Sequence, residues 1–233
     1  TEILYPAAML ALQEGDQEAG KAMLERLLGS RFPDKSTLRF FLGQIEEDQK
    51  RPDEALRHYR QVIAGDQFMA ARFRIAELQL QQGSLDEALK TLRETTAKTA
   101  AEQVRLAMAE AALLREAKRH DTAFQVLENA LRTHPENTEL LYEASMSAEK
   151  LGKLDLMESY LNKVLKQKPD HAHALNALGY SLADRNIRLD EAARLIEKAS
   201  ALAPKDPFIM DSLGWVQFRQ GKLPEALSTL QEA

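Results

Sequence analysis

Few residues of this 233-residue chain are arranged for chemistry. His171 and His173 form an H-x-H pair just after Pro169 and Asp170, a spacing that raises the question of a metal site. On a helix, residues two apart point in different directions, and no third ligand stands at a convincing spacing. The pair therefore reads as solvent-facing at a helix start, with no metal. His58, His120 and His134 are isolated. Glu46, Glu47 and Asp48 offer carboxylates for acid–base work, yet a run of charge on a helix is usually its wet face, and nothing marks a shared pocket. Ser181 and Ser212 lack the strand-turn-helix setting of a catalytic serine, and no glycine-rich phosphate loop occurs. With no cysteine, disulfides, thiolate zinc sites and cysteine nucleophiles are excluded together. The expectation is a non-enzymatic protein with no catalytic residue and no cofactor.

Composition narrows the class further. A 44% hydrophobic content is ordinary for a folded protein, and 36 acidic against 31 basic residues give a net charge of −5, with no broad electrostatic footprint for nucleic acid. No apolar run approaches the roughly 20 residues needed to cross a bilayer, so a membrane would be reached only through a lipid anchor outside this segment. Thr1 is not an initiator methionine and Ala233 falls inside a helical pattern, so the chain reads as a piece of a longer protein.

The elements that would position any site are set by repetition. LDEALKTL at Leu85–Leu92 returns as LDEAARLI at Leu189–Ile196 and LPEALSTL at Leu223–Leu230, with a looser copy, PDEALRHY, at Pro52–Tyr59. The small or compact residue of each phrase runs Gly20, Ala55, Ala88, Ala123, Met157, Ala192, Ala226, with steps of 35, 33, 35, 34, 35 and 34. That period predicts stacked helix-turn-helix units. Small residues at Gly43, Ala76, Ala111, Ser145, Gly179 and Gly214 suit close crossing of the two helices, and Ala130, Ala199 and Ala233 suit stacking of the next unit. Leu42, Ile75, Leu178 and Leu213 on first helices, and Tyr59, Leu92, Leu127, Leu161, Ile196 and Leu230 on second helices, fill the interior. Gly15, Gly83, Gly152 and Gly221 mark turns within units; Asp53, Asp86, Asp121, Asp155 and Asp190 suit the first turn or cap of second helices; Pro135, Pro169 and Pro204 separate units. The helix pairs are expected at 3–28, 36–65, 69–98, 101–133, 137–167, 171–202 and 207–233. Glu110 stands in an expected apolar position, and the segment before Ala192 carries one extra turn residue.

The pattern resembles the tetratricopeptide repeat (TPR) superfamily along essentially the whole chain. The resemblance implies an all-α, right-handed TPR superhelix (α-solenoid) of about seven repeats, at roughly 3–35, 36–68, 69–100, 101–136, 137–170, 171–206 and a truncated 207–233, in a single array. The stretch ALNALGYSLADRNIRLDEAARLIEKASALAPKDPFIMDSLGWVQFRQGKLPEAL, Ala174 to Leu227, is similar to the paired motif of TPR proteins of the gram-negative envelope. Among these it is most similar to the outer-membrane lipoproteins that act as adaptor for a carboxyl-terminal processing protease. What that implies is a scaffold at the periplasmic face of the outer membrane that activates the protease and recruits substrates such as cell-wall hydrolases. The alternatives are the repeat domain of a larger enzyme, such as a TPR-linked glycosyltransferase, and a cytoplasmic assembly factor.

In the family, one side of each first helix lines the groove. Carried across, the groove would show Phe40 and Gln44, Phe73 and Glu77, Met108 and Ala112, Tyr142 and Met146, Asn176 and Tyr180, Asp211 and Trp215. Aromatic, methionine and amide side chains suit an extended peptide; the competing reading is that several pack between adjacent first helices, with Trp215 beside Phe218. The chaperone-binding TPR domains use a lysine and asparagine carboxylate clamp, and Phe40, Phe73, Met108 and Tyr142 stand where that clamp would want lysine, so capture of a terminal carboxylate is not expected. Self-association through the uncapped end, around Leu227 and Leu230, is expected as well.

Overall fold

The computed structural model describes residues 3–232, so Ala233 lies outside the described residues. Within them lie fourteen α-helices and no strand. They run as seven consecutive pairs: α1 (Leu4–Gln13) with α2 (Gln17–Leu28), α3 (Lys35–Asp48) with α4 (Pro52–Tyr59), α5 (Phe68–Gln81) with α6 (Leu85–Arg93), α7 (Ala100–Glu116) with α8 (His120–Thr133), α9 (Thr138–Lys150) with α10 (Leu154–Gln167), α11 (Ala172–Asp184) with α12 (Leu189–Leu202), and α13 (Pro207–Arg219) with α14 (Leu223–Glu232). The chain forms two compact units, 1–117 and 118–233, which meet in sequence at the turn between α7 and α8.

The residues that carry the period are the ones the core requires. Ala55, Ala88, Ala123, Met157, Ala192 and Ala226 are all buried. A Cβ on Gly43 would stand 2.5 Å from the Tyr59 ring, and one on Gly214 would stand 2.5 Å from Leu230, so the small residues do mark close crossings. In the first unit, Ala8, Leu24, Leu27, Leu38, Leu42 and Ile45 form one cluster across α1, α2 and α3. A second cluster spans α3, α4 and α5. In the second unit, Leu175, Ala199 and Ile209 join α11, α12 and α13. Each of these three cores is thus shared by neighbouring hairpins of the same unit. Two interior expectations are only partly met: Leu213 is half-buried and Leu230 is 45% exposed.

Turns within hairpins need one residue in the left-handed region. It is Gly at 15, 83, 152 and 221, but Lys50, Lys118 and Asn186 take the same conformation in the other three hairpins. The extra residue before Ala192 is absorbed by a second left-handed residue, Arg188, held by Glu158 and Glu191. The five aspartates lie in the first turns of second helices, where they oppose the helix dipole without capping: the N-cap positions are Arg51, Ser84, Arg119, Lys153 and Arg188, with no side-chain cap bond. Between hairpins, His134, Lys168 and Ala203 leave the helical region just before their prolines.

Two second helices are shorter than expected. α4 ends at Tyr59 rather than near 65, because Gln61 and Val62 donate to His58 and Tyr59 in tightened turns that still bury Val62. α6 ends at Arg93 rather than near 98. The Thr91 carbonyl that would continue it is taken by the Thr95 hydroxyl at 2.7 Å and by Arg72 Nη2 at 2.8 Å, while Thr95 N–H turns to Leu92.

Candidate protein-binding site

In the first unit, α1, α3 and α5 bring together a cleft of about 510 Å³. Met9, Leu12, Phe41 and Ile45 supply its apolar lining, and Gln13, Gln17, Gln44, Glu47, Asp48 and Arg74 its polar lining. Gln44 is the member of the expected groove set found here. The others in this unit are spread over neighbouring surface: Glu77 is half-buried and paired with Arg74 at 2.5 Å, Phe73 is half-buried under the Arg105 guanidinium at 5.2 Å, and Met108 is half-buried. Phe40 is a correction. It is buried in the core with Tyr59 and Ile75, its ring 5.6 Å from that of Tyr59, so it is not a contact residue. The neighbouring Phe41, one position off the expected register, lines the cleft instead.

The acidic run of α3 is also corrected. Only Asp48 is a wet-face residue; Glu46 is 3% exposed, with Lys21 at 2.6 Å and Arg51 at 3.2 Å. Glu47 accepts from the Tyr59 hydroxyl at 2.9 Å and pairs with Arg74 of the next hairpin. Burial, then the hydrogen bond to Glu47, pushes the Tyr59 phenol far above its ordinary range. These carboxylates tie hairpins together, and Arg74 fills the charge need of both Glu47 and Glu77.

In the second unit, the expected residues lie on α9, α11 and α13. Tyr142 is half-buried with its ring centroid 5.1 Å from that of His171, and Met146 is half-buried. Asn176 is half-buried, with Oδ1 out of solvent and unbonded. Tyr180 is 37% exposed and Asp211 is exposed. Trp215 is half-buried and stacks on Phe218 at 5.6 Å, with the Arg219 guanidinium 5.4 Å from its ring centroid. Phe208 and Phe218, both exposed on α13, extend this surface beyond the expected set. Their signal in the sequence is position: each is a bulky apolar residue on the groove-side register of a first helix. Burial raises the Tyr180 phenol first, and the charges of Asp184, Asp211 and Glu149 raise it further.

The two histidines have separate uses. His171 is half-buried, not solvent-facing, because its Nδ1 caps α11 by accepting from Ala174 N–H at 3.2 Å. His173 is exposed, 3.8 Å from Asp206. Among the described residues, no group of three or more metal-type side chains is drawn together.

Models described as tetratricopeptide repeat match residues 5–70, residues 46–113 and 114–180, and residues 211–232. A TPR repeat-containing protein of Pseudomonas aeruginosa is 40% identical over 194 residues, 83% of this chain; the matched segment spans 33% of that relative. Among solved structures, a tetratricopeptide repeat protein from Parabacteroides merdae superposes with a TM-score of 0.64 over 84% of this chain and 78% of its own, at 18% identity. MamA from Desulfovibrio magneticus gives 0.57 over 72% and 93%, at 22% identity. These structural likenesses carry the fold alone.

Proposed function

Because the chain belongs to the tetratricopeptide repeat family, whose arrays are scaffolds for protein interaction, we propose that it is an adaptor that holds a carboxyl-terminal processing protease and recruits its substrates, cell-wall hydrolases among them. The scaffold part rests on one observation: the small or compact residue of each repeated phrase is buried, while Gln44, Tyr180 and Asp211 stay open on first helices and differ from one hairpin to the next. The buried set builds the array and the open set gives each hairpin its own chemistry. The protease part is motivated by the Ala174–Leu227 stretch, which is similar to that of envelope TPR lipoproteins.

Location at the periplasmic face of the outer membrane belongs to the same proposal. The mechanism is proximity. Two proteins held on one array meet at an effective concentration set by the array, with no chemistry contributed by the adaptor. Proteolysis of a cell-wall hydrolase by the processing protease, with and without this protein, tests it. The expected outcome is a rate at least about tenfold higher with the protein present, as tethering commonly achieves. Equal rates together with no co-elution would remove the proposal.

A further inference from the structure

We infer that the face made by α9, α11 and α13 takes an extended peptide segment bearing lysine or arginine side chains. The inference rests on the reading that first-helix faces receive partner chains, and it names the chemistry one such face selects.

Open aromatic area comes first. Tyr180 is 37% and Phe218 49% exposed, and Trp215 lies stacked against Phe218. α11 packs on α13, and Tyr180 and Trp215 occupy the same position in their respective hairpins, each one residue after the close-crossing glycine. Rings so placed offer faces to the stem and head of a long cationic side chain. The Arg219 guanidinium over Trp215 shows the surface already accommodating such a group.

Charge then selects the occupant. Glu149, Asp184 and Asp211 lie near enough to act on the Tyr180 phenol. Among the described residues, none of these three makes an ion pair or a side-chain hydrogen bond, whereas Glu46, Glu47, Glu110 and Glu158 are all ion-paired. Across the three helices, the carboxylates of Glu139, Glu149, Asp184 and Asp211 stand against the cations of Lys150 and Arg219. A neutral segment lying here would strip water from carboxylates without replacing it, and an acidic one would be repelled. In the cleft of the first unit, by contrast, Glu47 is already paired with Arg74, which also holds Glu77.

The test is a fluorescence-anisotropy titration of the 1–233 chain with a labelled peptide of about twelve residues, alternating Arg and Leu with Gly-Ser spacers, beside versions carrying Gln or Glu in place of Arg. The Arg peptide is expected to bind at least about tenfold more tightly than the Gln peptide, with the Glu peptide weaker still. Raising salt from about 50 to about 500 mM should remove most of the difference. Asp184→Asn with Asp211→Asn should reduce Arg-peptide affinity about fivefold or more and leave the Gln peptide unchanged; Trp215→Ala should weaken both. Equal affinity for Arg and Gln peptides overturns the inference, as does unchanged selectivity in the double variant with its circular dichroism intact. Peptide selectivity in a chain that fails to stimulate the protease keeps this inference and removes the adaptor proposal. Stimulation by a chain without peptide selectivity does the reverse.

Discussion

At Gly179 the α11 backbone lies so close to α12 that a Cβ would stand 2.6 Å from Ile196 Cγ1 and 2.9 Å from the Ala192 carbonyl oxygen. A backbone oxygen cannot rotate away, so Gly179→Ala is expected to destabilise the chain by about 2–3 kcal/mol in urea unfolding, the upper range for overpacking. A cost below about 0.5 kcal/mol would mean that the two helices separate easily. His171 carries a second prediction. Burial lowers its pKa, and its role as N-cap acceptor requires a bare Nδ1. The unfolded chain then takes up the proton more readily than the folded one, so stability falls as pH drops through the unfolded value of about 6.5. Asparagine also caps helices but does not titrate. His171→Asn should leave stability near pH 7.5 within about 1 kcal/mol and flatten the fall towards pH 5.5. It should not abolish the fall, because burial and Arg39 also lower the pKa of His58. An unchanged pH profile would count against the capping role. The small residues were legible from their spacing, but the state of His171 was not, because an H-x-H pair does not show which nitrogen meets a helix end.

Helix existence and type were plain in the sequence, since the period and the turn residues repeat together. Some ends were not. The left-handed turn residue is obvious where it is glycine and concealed where it is lysine, and Lys50 and Lys118 are identified only by standing in step with Gly15 and Gly83. Their strain gives an element-scale prediction. Lys118→Gly should raise stability by about 0.5–1 kcal/mol, because relief of the left-handed penalty outweighs the added freedom of the unfolded chain. Thermal unfolding of the variant checks it, and a lowered midpoint would contradict it. The early end of α6 was hidden for another reason: Arg72 reaches it from 19 residues away in sequence. By contrast, the start of α7 was written locally in Thr99-Ala-Ala-Glu102, whose side chains and backbone amides complete a capping box. Glu110, out of place in the apolar pattern, is explained by Arg93 at 2.6 Å, a partner on the preceding helix.

At the scale of the whole chain, stability is distributed over hairpins and the boundaries they share. α14 is where that sharing is weakest among the described residues of the second unit. Leu223, Leu227 and Leu230 are 58%, 60% and 45% exposed, although Leu230 also packs on Gly214. Exposed leucines on one short helix favour pairing with a second copy. The expected result is a light-scattering mass that rises with concentration and returns to that of a monomer in Leu227→Glu. A mass independent of concentration in the unaltered chain would exclude the contact.

The sequence by itself determined the repeat, its register, the buried alanines and glycines and the family, because all of these follow from spacing along one helix or between adjacent ones. Tertiary structure decided which groove-register residues stay open. Phe40 and Gln44 sit four apart on one helix, yet α4 and α5 cover the first and leave the second in the cleft. It also decided which carboxylates are already answered. Glu47 meets Arg74 from the next hairpin, while Asp184 and Asp211 face solvent around Tyr180. Residue type and spacing cannot carry that distinction, since burial and charge pairing depend on what a neighbouring hairpin brings to the same place.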